Sequence, residues 1–126
     1  MFAPIMTNLI LVVAQDAFVQ EALGDLLQSE GLKPIFAQDK PSSLDAFYRQ
    51  QNDIALIVLD VGATDTIDLS LYHDFQIIDP QVKVLVSTNY DEREIKRIFA
   101  GDVPFQVLYK PYDAHSFVNA VSRMTA

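Results

Sequence analysis

The run Ile54-Ala55-Leu56-Ile57-Val58-Leu59-Asp60 decides the fold. Six apolar residues follow one another without in-and-out alternation, as in a strand buried on both faces, and a carboxylate closes the run. Two further strand-length runs end in functional groups: Val82-Lys83-Val84-Leu85-Val86 leads into Ser87-Thr88, and Phe105-Gln106-Val107-Leu108-Tyr109 leads into Lys110-Pro111. A carboxylate, a hydroxyl and an ammonium at three strand ends can converge at one edge of a parallel sheet. Together they provide a nucleophile, a hydrogen-bond donor and a counter-charge, the chemistry that a phosphoryl group needs. The first such run, Leu9–Val13, ends instead in Ala14-Gln15, where a metal-assisted site would want carboxylates.

Outward from these runs, strand-length apolar segments alternate with segments of helical period. Strands are expected at 9–13, 34–37, 54–59, 82–86 and 105–109. Between the first two, Phe18, Val19, Ala22, Leu23, Leu26 and Leu27 form an apolar stripe with Asp16 as N-cap and Gly31 as stop signal. Pro41 suits the start of the next helix, which carries Leu44, Phe47 and Tyr48. Residues 65–79 fit no clean period, so a short or distorted helix is expected there. Asp91 with Glu94 reads as a capping box ahead of Ile95, Ile98 and Phe99. Asp113 caps a last helix that buries Phe117, Ala120, Val121 and Met124. The order is (βα)₅: an α/β three-layer sandwich, with helices on both faces of a five-stranded parallel sheet. In such folds the working site lies beyond the carboxyl ends of the strands, where Asp60, Thr88 and Lys110 fall.

Composition narrows the function classes. A chain of 126 residues sets one domain as the default. The absence of cysteine removes disulfides, thiolate metal sites and thiol catalysis. No apolar run approaches the roughly 18 to 20 residues that span a bilayer, and residues 1–8 carry no basic segment ahead of the apolar stretch, against a secretory signal. The expected location is therefore cytoplasmic, with no membrane contact. A net charge of −8 opposes nucleic-acid binding, which needs clustered Lys and Arg. His73 and His115 have no partner at metal-ligand spacing and read as surface residues.

The set of segments ILVV at 10–13, LIVLD at 56–60, VKVLVST at 82–88 and YKPYD at 109–113 resembles the receiver domains of two-component signalling, the CheY-like response regulators. The last two segments, with Ala100-Gly101 between them, are similar to receivers fused to hybrid histidine kinases. The resemblance covers one domain over 8–125, leaving 1–7 as an N-terminal extension. It implies a flavodoxin-like sheet in strand order 2-1-3-4-5. Asp60 matches the aspartate that accepts a phosphoryl group from a histidine kinase. Thr88 matches the hydroxyl that bonds that group, and Lys110 matches the lysine that pairs with it, with Lys110-Pro111 cis. Gly62 matches the position whose backbone carbonyl, together with Asp60, binds magnesium.

Departures from the pattern are equally specific. The acidic pair is Ala14-Gln15, and Asp16 comes one residue too late. The loop proline is Thr64, the small residue after the switch hydroxyl is Asn89, and the aromatic switch residue is Val107. In an ordinary receiver two or three carboxylates share one pocket; at about 4.5 Å and an effective dielectric near 20, each like-charge pair costs roughly 3 to 4 kcal/mol, which magnesium removes. Here Asp60 lacks those neighbours, and Lys110 alone is expected to balance it. The expectation is a degenerate receiver, not an enzyme with its own substrate. Magnesium binding and phosphorylation should be weak or absent, and interaction with a histidine kinase or another signalling protein should be the main role. Tyr90, Arg93, Arg97, Val107 and Tyr109 mark the interaction surface on the fourth helix, fifth strand and fifth helix, which the family also uses for homodimers. Two alternatives stand beside it: a phospho-accepting receiver with reduced magnesium dependence, and a flavodoxin-like domain that binds a small ligand. Against the second, the run after the first strand has no phosphate-cradling glycine.

Overall fold

Two-sided burial of the central strands organises the molecule, as a computed structural model shows; it describes residues 8–62 and 67–126. Strands β1 (Leu9–Val13), β2 (Lys33–Ala37), β3 (Ile54–Val61), β4 (Val84–Thr88) and β5 (Gln106–Tyr109) form one parallel sheet in the order β2-β1-β3-β4-β5. Helices α1 (Ala17–Ser29), α2 (Lys40–Gln50), α3 (Leu71–Ile78), α4 (Glu92–Ile98) and α5 (Ala114–Thr125) connect them. Ile10 and Val12 pack with Leu56, Val58 and Leu85 against Leu23, Leu27 and Phe117 of α1 and α5. Leu11, Val13, Ile57, Leu59, Val61, Val84 and Val86 pack against Phe47, Phe75 and Ile95 of α2, α3 and α4. The alternating pleat thus sorts one continuous apolar run into two cores. The expected order 2-1-3-4-5 and the five helices are present.

Helix starts follow the caps. The Asp16 carboxylate accepts from the Phe18 and Val19 amides, Asp39 from Ser42, and Asp113 from Ser116. Asp91 and Glu94 form the reciprocal capping box. Gly31, at φ 76°, follows α1 in the left-handed conformation that favours glycine. Helix α3 is short, as its irregular pattern predicts. Ser70 makes no side-chain cap, and the Tyr72 and His73 amides close tight i→i−3 bonds to Leu69 and Ser70 at its start.

Several boundaries and faces differ from the sequence reading. Strand β3 runs two residues further than expected, so Asp60 lies within the ladder. Strand β4 is displaced two residues toward the C-terminus, and Ser87 and Thr88 become strand residues. The stripe on α1 is narrower. Its core-facing side centres between Leu23 and Leu27, so Phe18, 81% exposed, and Ala22 lie outside it. Gly24 takes the flank against β2, where a Cβ would come within 2.6 Å of the Phe36 ring. On α4, Ile95 is buried but Ile98 is exposed. The extension at 1–7, Thr64 and Asp65 lie outside the described residues.

Candidate functional site

Register places the site. Asp60 pairs with Ser87, and Val61 pairs with Thr88, across β3 and β4. Side chains alternate along a strand, so Asp60 and Ser87 point to the face covered by α1 and α5, as do Leu56, Val58 and Leu85. Thr88 and Val61 belong to the opposite face. Ser87 pairs with Leu108 and Thr88 with Tyr109 on β5, which brings Lys110 to the same edge.

Asp60 is only 4% exposed. Its Oδ1 lies 2.8 Å from Lys110 Nζ and accepts the Ser87 hydroxyl at 2.9 Å. Ser87 Oγ also lies 2.6 Å from the Tyr112 hydroxyl. The Tyr112 ring stacks on buried Phe117 of α5, with centroids 6.3 Å apart and planes 18° from parallel. Burial raises the Tyr112 phenol above its ordinary value, with the Ser87 hydrogen bond opposing, so it stays protonated at neutral pH. The Lys110–Pro111 peptide is cis.

Of the three residues expected to converge, the structure joins Asp60 and Lys110 directly. The Thr88 hydroxyl turns away: it donates to the Val61 carbonyl at 2.7 Å and accepts the Tyr90 amide at 3.0 Å. The hydroxyl on Asp60 belongs to Ser87. Lys110 is therefore not the sole group balancing the carboxylate, as the sequence suggested. Ser87 and Tyr112 were the residues missed. Strand parity could have found Ser87, since it follows Leu85 by two as Asp60 follows Val58 by two. Nothing in the spacing marks Tyr112.

The β1 end provides no acid. Ala14 is fully buried, Gln15 is exposed, and the Asp16 carboxylate is engaged in capping α1. Gly62 follows β3 directly, two residues after Asp60. No group of three or more His, Cys, Asp or Glu side chains able to hold a metal gathers among the described residues.

The expected interaction residues lie along one side. Arg93 and Arg97 are exposed on α4, Tyr90 and Val107 are half-buried, and Tyr109 is 36% exposed on β5. Burial and nearby Glu92 push the Tyr109 phenol up. Ile98 adds an exposed apolar side chain on the same helix. His73 and His115 are exposed, as expected. No helix among the described residues is long and apolar enough to cross a membrane.

No protein-family model and no curated protein matches the chain. Solved structures do. A response regulator receiver domain protein from Clostridium thermocellum superposes with a TM-score of 0.81 at 19% identity, over 94% of each chain. The CheX–CheY–BeF3–Mg complex from Borrelia burgdorferi gives 0.80 at 18% identity, over 94% of this chain and 89% of that one. A putative pilus assembly-related protein from Burkholderia pseudomallei gives 0.73 at 17% identity, over 99% and 94%. At these identities the likeness speaks for architecture: the chain has the fold of the CheY-like response regulator receiver domains.

Proposed function

We propose that this chain is a receiver module of two-component signalling, with Asp60 at the phosphoacceptor place and protein–protein contact, more than phosphorylation, as its main work. One observation carries the reading. A buried carboxylate at the carboxyl ends of the strands is held by Lys110 and Ser87, and the β1 end brings no second carboxylate to it. The fold supports the same reading, since the structures it matches include receiver domains.

In the transfer step, an Asp60 oxygen gives an electron pair to the phosphorus of a phosphohistidine or a small acyl phosphate. The bond from phosphorus to the donor breaks, and its electrons leave with the imidazole nitrogen or the acetate oxygen. Lys110 offsets the negative charge on the transferring oxygens. Among the described residues the donor set does not fit a resident magnesium ion. Asp60 Oδ1 already accepts two bonds, Gln15 brings an amide, and the Gly62 carbonyl is one weak donor. Slow transfer follows from the missing charge neutraliser. Thr88 would act on a phosphoryl group only after leaving the Val61 carbonyl.

The contact surface in this reading is the α4–β5–α5 side, with Tyr90, Arg93, Arg97, Val107 and Tyr109. Its partners are a histidine kinase, another signalling protein or a second copy of the chain. The net charge of −8 argues against nucleic acid there.

Incubation with acetyl phosphate, with and without magnesium, tests the acceptor, with intact mass as the readout. The expected result is a minor Asp60 adduct that magnesium scarcely increases and that Asp60→Asn abolishes. A stoichiometric, magnesium-dependent adduct would establish an ordinary phospho-accepting receiver. An adduct that survives Asp60→Asn would remove Asp60 from the role.

A further inference from the structure

The protons of the Asp60 network have only one consistent arrangement. An ionised carboxylate accepts and never donates, and a serine hydroxyl has one proton to give. Ser87 gives that proton to Asp60 Oδ1 at 2.9 Å. The 2.6 Å contact between Ser87 and Tyr112 must then run the other way, with the phenol donating to Ser87 Oγ. The result is a directed relay, Tyr112 O–H to Ser87 O–H to Asp60, ending on a charge in a water-poor site. Hydrogen bonds in such a chain strengthen one another.

Among the described residues the hydroxyl relay runs toward one face of the sheet. On the α2–α4 face, the Thr88 hydroxyl is committed to Val61, and Val107 has no polar group to couple with it. On the α1–α5 face, the relay ends in an aromatic ring stacked on Phe117, a fully buried residue of α5.

We infer that Tyr112 is a positioning residue of the Asp60 site, and that the Ser87–Tyr112 relay carries a change of charge at Asp60 to helix α5. While Asp60 is ionised, the phenol holds the Ser87 proton on the carboxylate. When the carboxyl oxygens lose their charge, as in an amide variant or an acyl phosphate whose charge lies on the phosphoryl oxygens, Ser87 loses its anionic acceptor, the Tyr112 donor is released, and the Tyr112–Phe117 stack is the first packed element to respond. The regulatory use of this coupling rests on Asp60 being the phosphoacceptor; the coupling itself does not.

The test needs no phosphoryl transfer. The whole chain is labelled with ¹³C at tyrosine Cζ, and the Tyr112 resonance is assigned by its loss in Tyr112→Phe. Asp60→Asn removes the charge and keeps the shape. It should displace the Tyr112 resonance and the backbone amides around Phe117. In a Ser87→Ala background the same substitution should move them at most about one third as far, the non-additivity of groups acting through one another. Equal displacement in both backgrounds would mean a through-space field effect and overturn the relay, as would no displacement in the wild-type background. Should Ser87→Ala fail to fold, Tyr112→Phe breaks the relay at its other end, and the Asp60→Asn displacement at the Phe117 amide should shrink likewise. A relay overturned this way leaves the acceptor reading intact, and a failed reaction with acetyl phosphate leaves the relay result standing.

Discussion

The two flanks of Asp60 are built in opposite ways. On the β1 side, Ala14 is apolar and fully buried, Gln15 is neutral, and the Asp16 carboxylate caps α1. On the β4–β5 side, an ammonium and the Ser87 hydroxyl lie within hydrogen-bonding distance of the carboxylate, and the Tyr112 hydroxyl backs Ser87. Among the described residues one flank carries no free charge, and the other concentrates donors. The physical lesson is that a buried carboxylate needs compensation from somewhere. A metal held by neighbouring acids is one solution, and internal donors are another. The described residues of this chain supply the second.

Recharging the β1 flank should have the largest effect. Ala14→Asp together with Gln15→Asp would place carboxylates next to Asp60, one of them at a fully buried position. In a chelator the double variant should lose on the order of 3 to 5 kcal/mol of stability in urea unfolding. Magnesium should then recover most of the loss, and amide shifts around Asp60 should saturate at submillimolar metal, whereas the parent chain should show neither effect. A parent chain that binds magnesium equally tightly would show that the β1 flank is not what sets metal affinity.

Removing the opposite flank should cost less. Lys110→Met takes the ammonium away from buried Asp60 and leaves it the Ser87 hydroxyl as donor among the described residues. Breaking a buried pair costs roughly 3 to 5 kcal/mol, but the Lys110 side chain is 35% exposed and partly screened. A loss of about 2 kcal/mol is expected. Adding Asp60→Asn should restore most of it, because the orphaned charge is gone. If the double variant is as unstable as Lys110→Met alone, the lysine acts by packing its stem and not by pairing.

The sequence made the scaffold legible because two independent signals agreed in it. Ile54 to Leu59 reads as a two-sided buried strand from composition alone, and Asp16, Asp91 and Asp113 mark helix starts through their side-chain chemistry. Asp60 and Lys110 were legible for the same reason: each closes a strand, and strand ends on one edge must meet. The choice between Ser87 and Thr88 was harder. It depends on which residue pairs with Asp60, and the expected end of β4 fell two residues short, leaving both hydroxyls in an undefined turn. Tyr112 was illegible for a different reason. A tyrosine after a Lys-Pro peptide has no periodic partner, and only the fold brings its hydroxyl, 25 positions away in sequence, to Ser87.

The smallest effect is expected at Tyr112, and it depends on pH. At neutral pH, Tyr112→Phe removes one part-buried hydrogen bond and keeps the stack on Phe117, so a loss of about 1 kcal/mol is expected. The Tyr112 phenol is raised from its ordinary value of 10.0, first by burial, with Ser87 opposing and the Asp60 charge adding to the rise. A folded-state value above the unfolded one means that the protonated phenol is the form that favours folding. That contribution is fully present below pH 10 and is lost as pH rises through the raised folded value. The phenylalanine variant has no such proton to lose. Its deficit relative to the parent should therefore be constant from pH 6 to 9, narrow above about pH 10, and close further as the parent is forced to bury a phenolate beside Asp60. Urea midpoints measured for both chains across that range would show it. A deficit that stays constant through pH 11 would place the phenol in contact with water and outside the relay.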